Sequence, residues 1–177
     1  MLEEQLKKQS GIGSVTTVFC EDGGEYVGRI LGMDQEDVLV ASITYDGVYD
    51  GFGLIPLERI HAVSYDGAQE EKTAALYQLH HSTHPALRTE NREMWAVLLE
   101  FAEKNSRLVT AETEDANFTG AVTAWDDGTL SLKQVTVNGL WNGGVTLRRD
   151  CITCLNADTI EEQSRRLLLE HRQKQAE

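Results

Sequence analysis

Residues 43–51 read Ile43-Thr-Tyr-Asp-Gly-Val-Tyr-Asp-Gly51, and residues 135–143 read Val135-Thr-Val-Asn-Gly-Leu-Trp-Asn-Gly143. Both follow one pattern: branched apolar, Thr, any residue, Asp or Asn, Gly, apolar, aromatic, Asp or Asn, Gly. Asp-Gly and Asn-Gly are tight-turn dipeptides, because Gly and Asn accept positive φ at little steric cost. The stretch therefore reads as an elaborated connection between two antiparallel strands, made twice. The copies lie 92 residues apart. At that offset Gly28 meets Gly120, Asp34 meets Asp126, Val40 meets Leu132, Ile60 meets Ile152, Asp66 meets Asp158 and Leu6 meets Leu98. An ungapped repeat of turn residues and apolar phase predicts one supersecondary unit used twice.

Outward from these turns, alternation and turn residues predict five strands per unit. In the first they are Val15 to Phe19, Tyr26 to Met33, Val38 to Ile43, Leu54 to Leu57 and Arg59 to Tyr65. In the second they are Leu108 to Glu112, Phe118 to Trp125, Thr129 to Val135, Val145 to Arg148 and Cys151 to Leu155. Pro56 cannot donate to a ladder, so the fourth strand is expected at an edge or broken there. A short helix around Leu2 and Leu6, ending near Ser10-Gly11, leads the first unit. A helix with one apolar face at Met94, Trp95, Leu98, Leu99, Phe101 and Ala102 leads the second. Capping-box spacing at Asp66-Gly-Ala-Gln69 and Asp158-Thr-Ile-Glu161 predicts a closing helix for each unit. The first should bury Ala75, Leu76 and Leu79 and stop before His84-Pro85. The second should bury Ile160, Leu167, Leu168 and His171. The predicted organisation is residues 1–82, a linker at 83–92, and residues 93–177.

The chain has 177 residues, 41% hydrophobic and 25% charged, which is globular composition. It holds no apolar run of membrane-spanning length. The N-terminus lacks the charge pattern and apolar run of a signal peptide. Its three cysteines do not make a disulfide framework, and the expected location is the cytoplasm. Net charge is −13. Residues 11–66 carry ten Asp or Glu against two Arg, a balance of −8. Residues 107–156 carry six acids against four bases, a balance of −2. Phosphate binding depends on Lys and Arg, so the first half is a poor nucleic-acid surface.

Tyr26-Val-Gly28-Arg-Ile-Leu-Gly-Met-Asp34 and Phe118-Thr-Gly120-Ala-Val-Thr-Ala-Trp-Asp126 resemble the first signature of Sm and LSm proteins, including bacterial Hfq. That signature is a Gly followed six residues later by an Asp, between the second and third strands. Ile55-Pro-Leu-Glu-Arg-Ile60 and Leu147-Arg-Arg-Asp-Cys-Ile152 look like the second signature. The resemblance implies a mainly β fold with flanking helices: two tandem five-stranded Sm-like (SH3-like) barrels, each preceded and followed by a helix. The positions that read a base in that family hold Asp37 and Val38 in the first copy, and Thr129 and Leu130 in the second. The Arg of the second signature survives as Arg148, while its counterpart is Pro56. The implied function is thus a non-catalytic scaffold or protein-interaction module. The alternative is an Sm-like protein acting on single-stranded RNA through Arg148 and Arg149.

In that family, strand four of one barrel pairs with strand five of the next. The resemblance therefore implies self-association, as a dimer or as internally paired barrels, with the second copy's fourth strand as the intact edge. A protein partner is compatible with this reading; DNA, a membrane and a cofactor are not expected.

Tyr45, Asp46, Tyr49 and Asp50, with Asn138, Trp141 and Asn142, form the candidate ligand or partner surface. The competing reading, which is favoured, has Asp and Asn shaping the turns while Tyr49 and Trp141 pack. Cys151 and Cys154 have CxxC spacing, but on a strand their sulfurs would diverge, so small buried apolar residues are the better reading. His80, His81 and His84 invite a zinc reading. They lack converging further ligands, so a linker patch is favoured. No Ser–His–Asp set, phosphate-cradling glycine loop or placeable carboxylate pair points to an enzyme.

Overall fold

A computed structural model describes all residues, Met1–Glu177. The protein is mainly β, with ten strands and four helices. It divides into two compact units, Met1–Val97 and Leu98–Glu177.

The first unit opens with α1 (Leu2–Ile12), which buries Leu6 and Gln9 and ends at Gly13, a left-handed residue with φ 70°. The helix thus runs past the expected stop at Ser10-Gly11, because the residue able to turn the chain is the second glycine. Strands β1 (Val15–Cys20), β2 (Glu25–Met33), β3 (Asp37–Ile43), β4 (Tyr49–Pro56) and β5 (Ile60–Tyr65) follow. Helix α2 (Ala68–Leu79) packs on β1, and α1 packs on β2 and β5. Neighbouring strands run β5-β1-β2-β3-β4, each pair antiparallel.

The second unit repeats this order. Helix α3 (Met94–Lys104) stands 92 residues after α1, and the division between the units falls within it. Strands β6 (Leu108–Thr113), β7 (Asn117–Trp125), β8 (Thr129–Val135), β9 (Trp141–Arg148) and β10 (Ile152–Ala157) run in the order β10-β6-β7-β8-β9. Helix α4 (Ile160–Ala176) closes the unit against β6. The irregularities repeat too. Register breaks between Ile30 and Gly32 and between Ala41 and Ile43 recur between Val122 and Ala124 and between Lys133 and Val135.

Several expectations need correcting. In neither unit do the outermost strands pair, so the sheet is not closed. The repeat is not ungapped. β6 starts 93 residues after β1, because the turn before β7 is one residue shorter than the turn before β2. β4 and β9 begin at Tyr49 and Trp141, inside the stretches read as connections. Only Gly47 and Gly139 sit in the turn proper. Gly51 (φ 62°) and Gly143 (φ 69°) lie within strands, opposite a register break, where positive φ builds a bulge. Pro56 does not interrupt β4; it ends the strand, opposite Asp37.

The expected capping boxes are one residue out. Asp66 and Asp158 both take left-handed φ near 56°, which places the helix starts one position later. Thr159 and Glu162 form the box in the second unit, and Gly67 takes the N-cap in the first. The buried faces rotate accordingly. α2 buries Glu70, Thr73 and Tyr77, while Ala75 and Leu79 are exposed and Leu76 is half-buried. α4 buries Glu162 and Leu169, leaving Ile160, Leu167, Leu168 and His171 exposed. Tyr77 and Leu169 are equivalent, and each closes a small core: Val15, Val27 and Ile43 in one unit, Leu108 and Val135 in the other. All six apolar residues expected of α3 are buried, along with Val97.

Candidate functional site

A connected polar cluster lies where β3 and β4 lose register. A bulge leaves backbone groups without cross-strand partners. Here the carbonyls of Ser42 and Gly51 both point at His84 Nε2, at 2.9 and 3.0 Å. Two carbonyl oxygens can only accept, so Nε2 carries the proton and Nδ1 is the acceptor. Nδ1 receives the Tyr77 hydroxyl at 2.7 Å. The imidazole lies among three aromatic rings, with centroids 4.6 Å from Tyr49, 5.3 Å from Phe52 and 5.7 Å from Tyr77. The Arg29 guanidinium stacks on Tyr77, 5.1 Å from its ring centre. Burial, with the Arg29 charge beside it, holds the His84 pKa below the ordinary histidine value, against an opposing effect of the two carbonyls. Burial likewise raises the Tyr77 hydroxyl.

His84 belongs to residues 82–92, a stretch without helix or strand that is fastened along the first unit. Thr89 Oγ1 donates to the Leu31 carbonyl at 3.1 Å. Beyond it, Asp34 Oδ2 accepts the Met94 amide at 2.6 Å, capping the start of α3, while its Oδ1 accepts the amides of Glu36 and Asp37. The Asp of the first signature is therefore a turn former and a remote helix cap. His84 was legible only as one of three histidines. The other two, His80 and His81, are exposed. No sequence signal pairs His84 with Tyr77 or with a bulge more than thirty residues away.

The residues expected to form one ligand surface divide. Tyr49 is half-buried against His84 and Phe52. Asp50 is half-buried and Asp46 exposed. Tyr45 is exposed, and its hydroxyl donates to Glu25, whose carboxylate raises the Tyr45 pKa. In the second unit Trp141 is 38% exposed and lies under the Lys133 ammonium, 4.1 Å from the ring centre. The carbonyl of Asn138 accepts Arg172 Nε at 2.6 Å and that of Asn142 accepts Gln134 Nε2 at 3.4 Å. Of the two candidate RNA contacts, Arg148 pairs with Asp150 at 3.1 Å and donates to Cys151 Sγ at 3.3 Å. Arg149 donates to the Asp127 carbonyl at 3.2 Å. Cys151 is exposed, correcting its reading as a buried residue; it lies in the turn before β10, while Cys154 is buried as expected, and Cys20 is buried too.

Four of the second unit's counterparts of the His84 seat differ. Gln134 replaces Ser42, Gly144 replaces Phe52, Leu169 replaces Tyr77, and the position of His84 falls on Ala176 within α4. β4 is buried from Gly51 to Ile55, whereas Trp141 to Gly144 of β9 are all exposed. No protein-family model, no curated protein and no solved structure matches the chain.

Proposed function

We propose that this protein is a non-catalytic scaffold or protein-interaction module of the cytoplasm, built from two Sm-like five-stranded repeats and self-associating through strand edges. The observation that carries the reading is β9. It is the outermost strand of its unit, eight residues long and largely exposed, and it begins at an exposed tryptophan. Such an edge offers a row of backbone donors and acceptors to another chain. The Sm-like part of the reading rests on the strand order with strands four and five outermost, the leading helix, and the Gly-to-Asp spacing in both copies.

Against an RNA pocket stand the base-reading positions. Val38 and Leu130 are fully buried, Asp37 is 5% exposed, and Thr129 is spent on the Asp126 turn. Light scattering on gel filtration tests the reading: wild type should run as a dimer or larger, and Thr146→Lys, which places a charge on the β9 edge, should shift it to monomer. A monomeric wild type that binds labelled oligo-U at low salt, and loses it in Arg148→Ala, would reverse the choice in favour of RNA.

A further inference from the structure

We propose that His84 is a proton-operated latch: neutral, it fastens residues 82–92 onto the bulge between β3 and β4, and protonated, it lets that segment go, uncovering Tyr49, Phe52 and Tyr77. The inference is independent of the scaffold reading.

The geometry sets the neutral tautomer from both sides. Nε2–H is shared by the Ser42 and Gly51 carbonyls, and the Nδ1 lone pair takes the Tyr77 hydroxyl. A proton added at Nδ1 would face a hydroxyl already donating towards it. Tyr77 would have to turn its own hydrogen elsewhere, in a site closed by the rings of Tyr49 and Phe52. The groups around the imidazole do not favour a second positive charge. β2 supplies the Arg29 guanidinium across the Tyr77 ring, and α2 and β4 supply the phenols of Tyr77 and Tyr49. No carboxylate bonds the ring; its partners are two backbone oxygens and a phenol. In the released segment the imidazole regains water and its ordinary affinity for protons. Protons therefore bind the released form more readily and draw the equilibrium towards it. A further side-chain tie of the segment to the sheet, Thr89 to Leu31, does not involve the imidazole. The sheet beneath does not depend on His84, since β3 pairs with β2 and β4 on both sides.

Hydrogen exchange on the full chain from about pH 7.5 to about pH 5, corrected for the intrinsic rates, reads the latch above the ordinary carboxylate range. The amides to follow are Ser82, bonded to Tyr77, and Arg92, bonded to Thr89. Their protection should fall up to tenfold per pH unit below about 6.5, the slope of one proton, until His84 itself titrates in the closed form. Val38 to Ala41 in β3 should stay unchanged. His84→Gln keeps a neutral N–H for the two carbonyls and should remove the slope. Flat protection at Ser82 and Arg92 in wild type overturns the latch, as does the same slope in His84→Gln. Should that variant not fold, the wild-type ring signal of His84 followed by NMR decides: a titration that leaves segment protection intact overturns the latch equally.

Discussion

A Cβ built on Gly28 would stand 2.0 Å from the Ala41 carbonyl oxygen, and one on Gly120 would stand 2.3 Å from that of Lys133. Both glycines let β3 or β8 cross β2 or β7 at a distance no side chain permits, which explains why this position repeats. Gly47 and Gly139 face a double constraint. Each has positive φ, and each abuts its closing helix, with a Cβ 2.4 Å from Leu76 or 2.6 Å from Leu168. Gly28→Ala and Gly120→Ala should each cost about 3 kcal/mol, the upper range for overpacking, since a backbone oxygen cannot swing aside. By contrast, Gly11→Ala meets nothing within 4 Å and should be neutral or slightly stabilising in α1. Thermal melts of the three variants would check the ranking; a Gly28→Ala protein as stable as wild type would contradict the close approach. The glycines were readable from sequence because their reason is backbone geometry. Whether Gly51 belonged to a turn or a bulge was not, because both call for the same φ.

At the scale of elements, each closing helix is tied to the sheet by one buried Glu in its first turn. Glu70 accepts Thr17 Oγ1 at 2.7 Å, and Glu162 accepts Thr110 Oγ1, which also shares a 2.8 Å bond with Thr119. The two carboxyls titrate in opposite directions. Burial pushes Glu70 up, but bonds from Thr17, its own amide, Ser64 and Gly67 outweigh it and hold the pKa below the usual value. Burial dominates at Glu162, whose pKa is raised despite Thr110 and Thr159. The signs then differ. The Glu70 contribution is present above the unfolded pKa and is lost as pH falls through the lower folded one. The Glu162 contribution is present below the unfolded pKa and is lost as pH rises through the higher folded one.

Glu70→Gln should therefore destabilise by about 1.5–3 kcal/mol at neutral pH, with the deficit shrinking in acid. Glu162→Gln should be near neutral or stabilising at neutral pH. Its amide oxygen can take the Thr159 N–H while its NH₂ donates to Thr110. Urea titrations of both variants across pH would show the crossing; parallel profiles would refute the assignment. Capping residues were visible in the sequence, but their register was not. Asp66 and Asp158 look like N-caps, and a left-handed φ just before a helix carries no apolar signature. That one-residue slip rotated the expected faces of α2 and α4 off Tyr77 and Leu169.

Across the whole molecule the two units share strand order, bulge positions and helix placement, but not exposure. The element repeat was legible because turn glycines and apolar phase recur at one spacing. The difference in burial also has a mark in the sequence: Val38-Leu39-Val40-Ala41 of β3 is an unbroken apolar run, whereas Leu130-Ser131-Leu132-Lys133 of β8 alternates. Every residue of β3 is buried, whereas β8 alternates and exposes Lys133. Likewise β4 is buried from Gly51 to Ile55, while β9 exposes Asn142, Gly143, Gly144 and Thr146. None of the helices is long and apolar enough to cross a membrane.

The repeat is thus its own control for how burial sets local opening, since matched amides share register and turn chemistry and differ in cover. Hydrogen exchange at neutral pH should give amides of Leu39 to Ala41 and Phe52 to Leu54 protection at least about a hundredfold above their counterparts at Ser131 to Lys133 and Gly144 to Thr146. The comparison also reports on the edge. If β9 is where copies meet, protection at Gly144 to Thr146 should climb with protein concentration while that of Phe52 to Leu54 stays constant. Equal protection in the two units at every concentration would show that exposure of β9 in the single chain does not govern its opening.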